Sequence, residues 1–104
     1  GGENIYSAEV EDVLHEIPAV VEAAAIGIPD EKWGEAVHAI VRLRDGEKIE
    51  EAAIIAHCHE QIAGFKCPKS VSFRYEPMPL SGAGKILKTD LRQPYWEGKK
   101  KQVN

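Results

Sequence analysis

Lys85 is the residue in this chain best placed to do chemistry. It sits in Pro79-Leu80-Ser81-Gly82-Ala83-Gly84-Lys85-Ile86-Leu87-Lys88, which reads as a loop running into a helix with one lysine at its tip. Gly82 and Gly84 open backbone angles barred to other residues and put no side chain beside the lysine. Pro77 and Pro79 stiffen the approach, because proline fixes φ and pushes the preceding residue towards an extended shape. A lysine presented this way is a point charge on a long stem with three donors. It suits an anionic ligand brought to it from outside. The plain alternative is a glycine turn with a solvated lysine, and local composition alone favours it.

A second candidate is Gly64-Phe65-Lys66-Cys67-Pro68-Lys69. An aromatic ring between a glycine and two lysines can stack on a base while the lysines hold phosphates. The alternative, which composition favours, is a capped helix end with Phe65 turned into the core. Gly1-Gly2 is a third candidate, either a flexible or appended terminus or a loop that lets a ligand approach the backbone. Other chemistries fail on spacing. A phosphate loop needs Gly-x-x-x-x-Gly-Lys-Ser/Thr, but Pro79 holds the first glycine position and Ile86 follows Lys85. No Ser-His-Asp or Cys-His set is legible. His57 and His59 flank Cys58, but residues two apart on a helix point away from each other, so no metal site is expected. The candidates together amount to half an active site.

The elements that must position these residues follow from periodicity. Ser7 reads as an N-cap, with Glu9, Glu11 and Asp12 near the positive end of the helix dipole. Val10, Val13, Leu14 and Ile17 form one apolar face, so a helix is expected over Ala8–Ile17, ended by Pro18. Val20–Ile28 reads as a strand closed by Gly27-Ile28-Pro29-Asp30, and Trp33 as a residue covering the sheet edge. Ala36–Leu43 is a second strand, followed by an Asp45-Gly46 turn of hairpin type. Ile54, Ile55, Cys58 and Ile62 share a face of a helix over Ile49–Ala63, with Gly64 as its stop. Ser70–Tyr75 alternates as a third strand. Ile86, Leu87 and Leu91 open a short helix, and the tail from Gln93 onwards reads as a surface extension. The fold class expected is α+β, a small, largely antiparallel three-stranded sheet packed by helices.

The totals bound the rest. The 104 residues fit a single domain over residues 1–104 with one modest core. A hydrophobic share of 43% and a charged share of 29% describe a soluble globular domain. No apolar run approaches the roughly 20 residues that cross a membrane, and no signal peptide is visible. The two cysteines lack motif spacing, which fits a reduced, cytoplasmic protein. A start at Gly-Gly-Glu-Asn without methionine fits either a piece of a longer chain or a processed one. The net charge of −4 disfavours nucleic acid as a partner. Bases nevertheless gather in the second half, at Lys66, Lys69, Lys85, Lys88, Arg92 and Lys99 to Lys101, as suits a domain that meets a neighbour or phosphates on one face.

Four segments carry a resemblance. Gly1-Gly2-Glu3-Asn4-Ile5-Tyr6-Ser7-Ala8-Glu9-Val10-Glu11 resembles the motif that opens the C-terminal domain of acyl- and aryl-CoA synthetases, members of the adenylate-forming superfamily. Gly27-Ile28-Pro29-Asp30 with Trp33-Gly34-Glu35 resembles the next shared segment. Phe65-Lys66-Cys67-Pro68-Lys69 and Leu80-Ser81-Gly82-Ala83-Gly84-Lys85-Ile86 resemble the last two. They stand in the family's order and span most of the chain. Asp90-Leu91-Arg92 with Tyr95-Trp96 and Gln102-Val103-Asn104 is also similar to the tail of bacterial fatty-acid-type ligases.

The resemblance implies an enzyme that joins a carboxylic acid to ATP, with Mg2+, to give an acyl-adenylate and pyrophosphate, and then passes the acyl group to coenzyme A. It implies an N-terminal domain that binds ATP and the acid, and a C-terminal domain, this one, that rotates between the two half-reactions. The hinge is expected just before Gly1, and the domain alone is expected to be inactive, with Lys85 exposed and mobile. By position Lys85 matches the adenylation lysine. Gly1 and Gly2 would border the pantetheine channel, Phe65 the CoA adenine, and Lys66 and Lys69 its phosphates. Cys67 departs from members that carry a basic residue there. Two other readings stay open: an adenylation domain serving a carrier protein, and a non-catalytic docking module on the same scaffold.

Overall fold

The computed structural model describes residues 7–103. In chain order they form α1 (Ser7–Leu14), β1 (Val20–Asp30), β2 (Gly34–Leu43), α2 (Glu51–Gln61), a 3-10 turn (Gly64–Lys66), β3 (Ser70–Arg74) and α3 (Lys88–Val103). The strands lie in the order β1-β2-β3. β1 and β2 run antiparallel from Val20 opposite Leu43 to Asp30 opposite Gly34. The short β3 joins β2 in parallel, from His38 opposite Ser70 to Arg42 opposite Arg74. A parallel neighbour needs a crossover, and α2 supplies it. The α+β sheet is therefore as expected in class, with its long pair antiparallel and its short edge parallel.

Strand alternation divides the interior into two layers. On one face Ala23, Ala25, Val37, Ala39, Val41 and Leu43 meet Val10, Val13 and Leu14 of α1 and Ile54 and Cys58 of α2. On the other, Ala24, Ile26 and Ile40 meet Met78 and Leu91, flanked by Ile28, Ile86 and Tyr95. Leu14, Ile26 and Ile54 are fully enclosed, and each such side chain contributes about 1.5–3 kcal/mol of burial free energy. The sheet's two open edges are guarded alike. Glu11 Oε2 accepts from Ala25 N on β1 at 2.9 Å, and Glu51 Oε2 from Val71 N on β3 at 2.7 Å. Charged side chains on edge amides discourage pairing with another chain.

Several local expectations are corrected. Ser7 is the first residue of α1 rather than a cap outside it. α1 ends at Leu14, and the chain then tightens through Glu16 N to Val13 O and Ile17 N to Leu14 O bonds, which keep Ile17 in the core. Gly27 to Asp30 belong to β1, where Pro29 is tolerated because the strand is an edge. The hairpin turn is Asp30–Gly34, not Asp45-Gly46. Asp30 Oδ2 accepts from Lys32 N (3.1 Å) and Trp33 N (2.8 Å), and Gly34 takes φ 82°. Gly46 also takes a positive φ, in a turn that leads into α2.

The tail is a helix, not a surface extension. α3 runs through Pro94, and Leu91 and Tyr95, four residues apart, lay it on the second face. Trp96 Nε1 donates to Gly27 O at 2.8 Å, so α3 is tied to β1.

Candidate functional site

The lysine loop is a closed miniature hairpin. Leu80 and Ile86 form an antiparallel bridge. Ser81 N donates to Lys85 O at 2.7 Å, Gly84 N to Ser81 O at 2.9 Å, and Leu87 N to Pro79 O at 2.8 Å. The Ser81 hydroxyl accepts from Ala83 N and from Lys85 N, both at 3.2 Å. Gly84 takes φ 84°, as its glycine predicted, whereas Gly82 takes no positive φ. The tip is Gly82-Ala83, so Lys85 stands on the returning arm rather than at the tip. Its side chain is exposed, and among the described residues its ammonium has no hydrogen-bond or ion-pair partner.

The hairpin is rooted at both ends. Met78 is buried, and its N donates to Glu22 Oε1 at 3.2 Å. That carboxylate also holds Arg42 Nη1 at 3.0 Å. Beyond the hairpin, Lys88 Nζ lies 2.6 Å from Glu11 Oε2.

The aromatic-basic loop lies where α2 ends. Lys66 N donates to Ala63 O and Cys67 N to Gly64 O, forming the 3-10 turn. Phe65 is 67% exposed, so the core alternative for this ring is set aside. The Lys66 ammonium is 5.7 Å from the Phe65 ring centroid and 2.9 Å from Glu9 Oε1. Lys69 is exposed, and its N donates to Val37 O at 2.8 Å, which sets this loop beside the stretch of β2 that pairs with Gly27. Cys67 points inward and is 1% exposed, and burial raises its thiol pKa. Position 67 is thus a core position here, and no phosphate contact comes from it. Gly1 and Gly2 lie outside the described residues.

Two residues were missed. Trp33, expected against the sheet edge, is 67% exposed at the hairpin tip, with the Lys32 ammonium 5.0 Å from its ring centroid. The signal was present in Asp30-x-x-Trp33-Gly34, an aspartate that folds a turn and a glycine that completes it. His38 is 4% exposed. Its Nδ1 meets Ser70 Oγ at 2.7 Å, and its Nε2 meets Ser72 Oγ at 2.8 Å and Tyr95 OH at 3.2 Å. Desolvation lowers its pKa, opposed by Glu51. Among the described residues no carboxylate is bonded to this imidazole, and the cluster binds β2, β3 and α3 together. A groove of about 280 Å³ adjoins it, lined in part by Ser72, Arg74, Asp90 and Tyr95, and no residue of the lysine hairpin lines it. His57 is paired with Glu16 at 3.0 Å, and no cluster among the described residues could hold a metal ion.

A family model described as the AMP-binding enzyme C-terminal domain matches residues 9–85. The chain belongs to this family. Long-chain-fatty-acid–CoA ligase FadD13 of Mycobacterium tuberculosis is 48% identical over 95 residues, which cover 91% of this chain and 18% of that protein. Feruloyl-CoA synthase of Amycolatopsis sp is 45% identical, with 91% and 19% covered. Fatty acid–[acyl-carrier-protein] ligase ScoC of Streptomyces coeruleorubidus is 40% identical over 103 residues, with 99% and 20% covered. The solved Mycobacterium tuberculosis fatty acyl CoA synthetase superposes with a TM-score of 0.79 at 47% identity, over 91% of this chain and 18% of its own. This AMP-binding C-terminal domain therefore spans 18–20% of the length of these relatives. Its three-stranded sheet and three helices are those of the C-terminal domain of adenylate-forming enzymes. No described helix is long and apolar enough to cross a membrane.

Proposed function

We propose that this domain is the rotating C-terminal part of a longer acid–CoA ligase and supplies its adenylation lysine. The observation that carries the reading is the exposed ammonium of Lys85, without a partner among the described residues, on a hairpin braced by its own hydrogen bonds. In the first half-reaction a carboxylate oxygen of the acid attacks the α-phosphorus of ATP, and pyrophosphate leaves with its electron pair. Negative charge gathers on the carboxyl and α-phosphoryl oxygens. An ammonium held between them is worth roughly 3–4 kcal/mol in a site that excludes water. A lysine with no ion pair to the described residues gives up none of theirs when it enters such a site. ATP with its Mg2+ and the acid would be held by the N-terminal domain of the same chain.

In the second half-reaction the CoA thiolate attacks the acyl carbon and AMP leaves. Phe65 offers a face for the adenine, Lys69 a charge for its phosphates, and Lys66 a charge that it now shares with Glu9. Gly1 and Gly2 would border the pantetheine arm. Trp33 adds a second exposed ring. The acid's identity belongs to the N-terminal domain. Cytoplasmic placement is in keeping with ATP and CoA as substrates.

The test is Lys85→Ala in the full-length enzyme. Acid-dependent pyrophosphate release should fall about 100- to 1,000-fold, while consumption of preformed acyl-adenylate by CoA stays within about twofold. Equal loss of both steps would overturn the reading. The likeness to ScoC supports a second acceptor, a carrier-protein thiol. Adenylate consumed with a phosphopantetheine-bearing carrier, and not with free CoA, would establish it. Should Lys85→Ala change neither step, a non-catalytic docking module would be the better description.

A further inference from the structure

We infer that Glu11 and Lys88 form a positioning pair that fixes where Lys85 is presented. The inference rests on the proposed role of Lys85. No described residue holds the Lys85 ammonium, so among the described residues the restraint on that charge is where its backbone roots the stem. That backbone belongs to a hairpin closed by bonds among Pro79, Ser81, Lys85 and Leu87. The hairpin therefore shifts as one piece, and its two roots decide where the piece stands.

The first root is Met78, buried and bonded to Glu22. The second is Lys88, three residues beyond Lys85, with its ammonium on Glu11 Oε2. The same oxygen accepts from Ala25 N. Glu11 thus joins α1, the open edge of β1 and the first residue of α3 at one atom. The two side chains are only 16% and 20% exposed, so solvent screens the pair less than a surface pair.

Helix formation does not account for this lysine. A cation at a helix N-terminus faces the positive end of the dipole, where an acid is preferred. Docking of α3 does not require it either, because Leu91, Tyr95 and Trp96 already hold the helix against the sheet. What the pair adds is a fixed starting point for the arm that carries Lys85. A misplacement of about 1 Å at a reacting centre can cost about 100-fold in rate.

The test uses the full-length enzyme with Lys88→Met, Glu11→Gln, the double variant, Lys88→Arg and the Lys85→Ala control. Glu11→Gln keeps an acceptor for Ala25 N and removes only the charge. Each single variant should lower kcat for adenylate formation about 10- to 100-fold, with KM for acid and ATP within about twofold. The double variant should be no worse than the weaker single, and Lys88→Arg should restore most of the rate. Thioester formation from preformed adenylate should be unchanged. If Lys85→Ala abolishes adenylation while Lys88→Met and Glu11→Gln stay within twofold of wild type, the inference is wrong and the role of Lys85 stands. If both half-reactions fall together with the melting temperature, the pair is structural and the inference is likewise overturned. If Lys85→Ala itself leaves adenylation intact, the reading beneath it fails as well.

Discussion

His38 lies among three hydroxyls and is almost wholly out of water. Burial favours its neutral form and lowers its pKa, and the Glu51 carboxylate offsets part of that. The unfolded chain, with an ordinary histidine pKa of 6.5, therefore binds this proton more readily than the folded one. Stability tied to His38 is complete above pH 6.5 and is lost as the pH falls below it, down to the lowered folded value. Urea midpoints measured at pH 7.5 and 5.5 should show a larger acid loss in the wild type than in His38→Gln. An equal loss would remove His38 as the cause. Nothing in the sequence marked this residue, because its partners stand 32 to 57 positions away. Lys85 was legible for the opposite reason. Its setting is local, and glycines, prolines and a serine within a few residues shape it. Phe65 and Trp33 are intermediate cases. An exposed ring contradicts the usual burial of aromatic side chains, and only the turns that lift them out, at Gly64–Lys66 and Asp30–Gly34, show that they are presented.

Elements were readable where one period dominates. The apolar faces of α1 and α2 and the alternation of β1 and β2 appear in the residue types. The direction of β3 was hidden, since alternation is the same in parallel and antiparallel strands, and only the intervening helix signals a crossover. α3 was hidden by Pro94, which removes an intrahelical bond, and by a polar composition that leaves few anchors beyond Leu91 and Tyr95. The lysine hairpin shows how one glycine can matter and its neighbour not. Gly84 takes φ 84°, a conformation that costs an L-residue about 1–2 kcal/mol. Gly82 takes no positive φ, and a Cβ there meets nothing within 4 Å. Gly84→Ala should therefore distort the hairpin and slow adenylate formation in the full-length enzyme, while Gly82→Ala leaves it near wild type. Indistinguishable rates for the two would show that the hairpin's backbone geometry does not govern Lys85.

At the scale of the molecule the two candidate groups are held by different parts of the sheet. Glu11 grips β1 at Ala25, next to the root of the lysine hairpin, whereas Asp30 folds the turn that lifts Trp33 at the far end of the same strand. Ala25 and Asp30 are five residues apart in sequence, which is roughly 17 Å along a strand. The Phe65–Lys69 loop lies between these two points along the strand, because Val37, which accepts from Lys69 N, pairs with Gly27. It stands on the face of α1 and α2, where Lys66 meets Glu9 and Cys67 joins the core, whereas Ile86 of the lysine hairpin packs on the other face. On the proposed roles, one sheet would carry the adenylation group and the CoA group in separate places, and a rotation of the whole domain would exchange one for the other without refolding either. This separation predicts that damage to one group spares the chemistry of the other. In the full-length enzyme Phe65→Ala and Trp33→Ala should each raise the apparent KM for CoA about tenfold, in line with about 1–3 kcal/mol for a base stacked on an aromatic ring. Acid-dependent pyrophosphate release should stay within about twofold of wild type. A drop in pyrophosphate release equal to the loss in thioester formation would mean that both rings serve the adenylation face, and the division of the domain into two working groups would have to be given up.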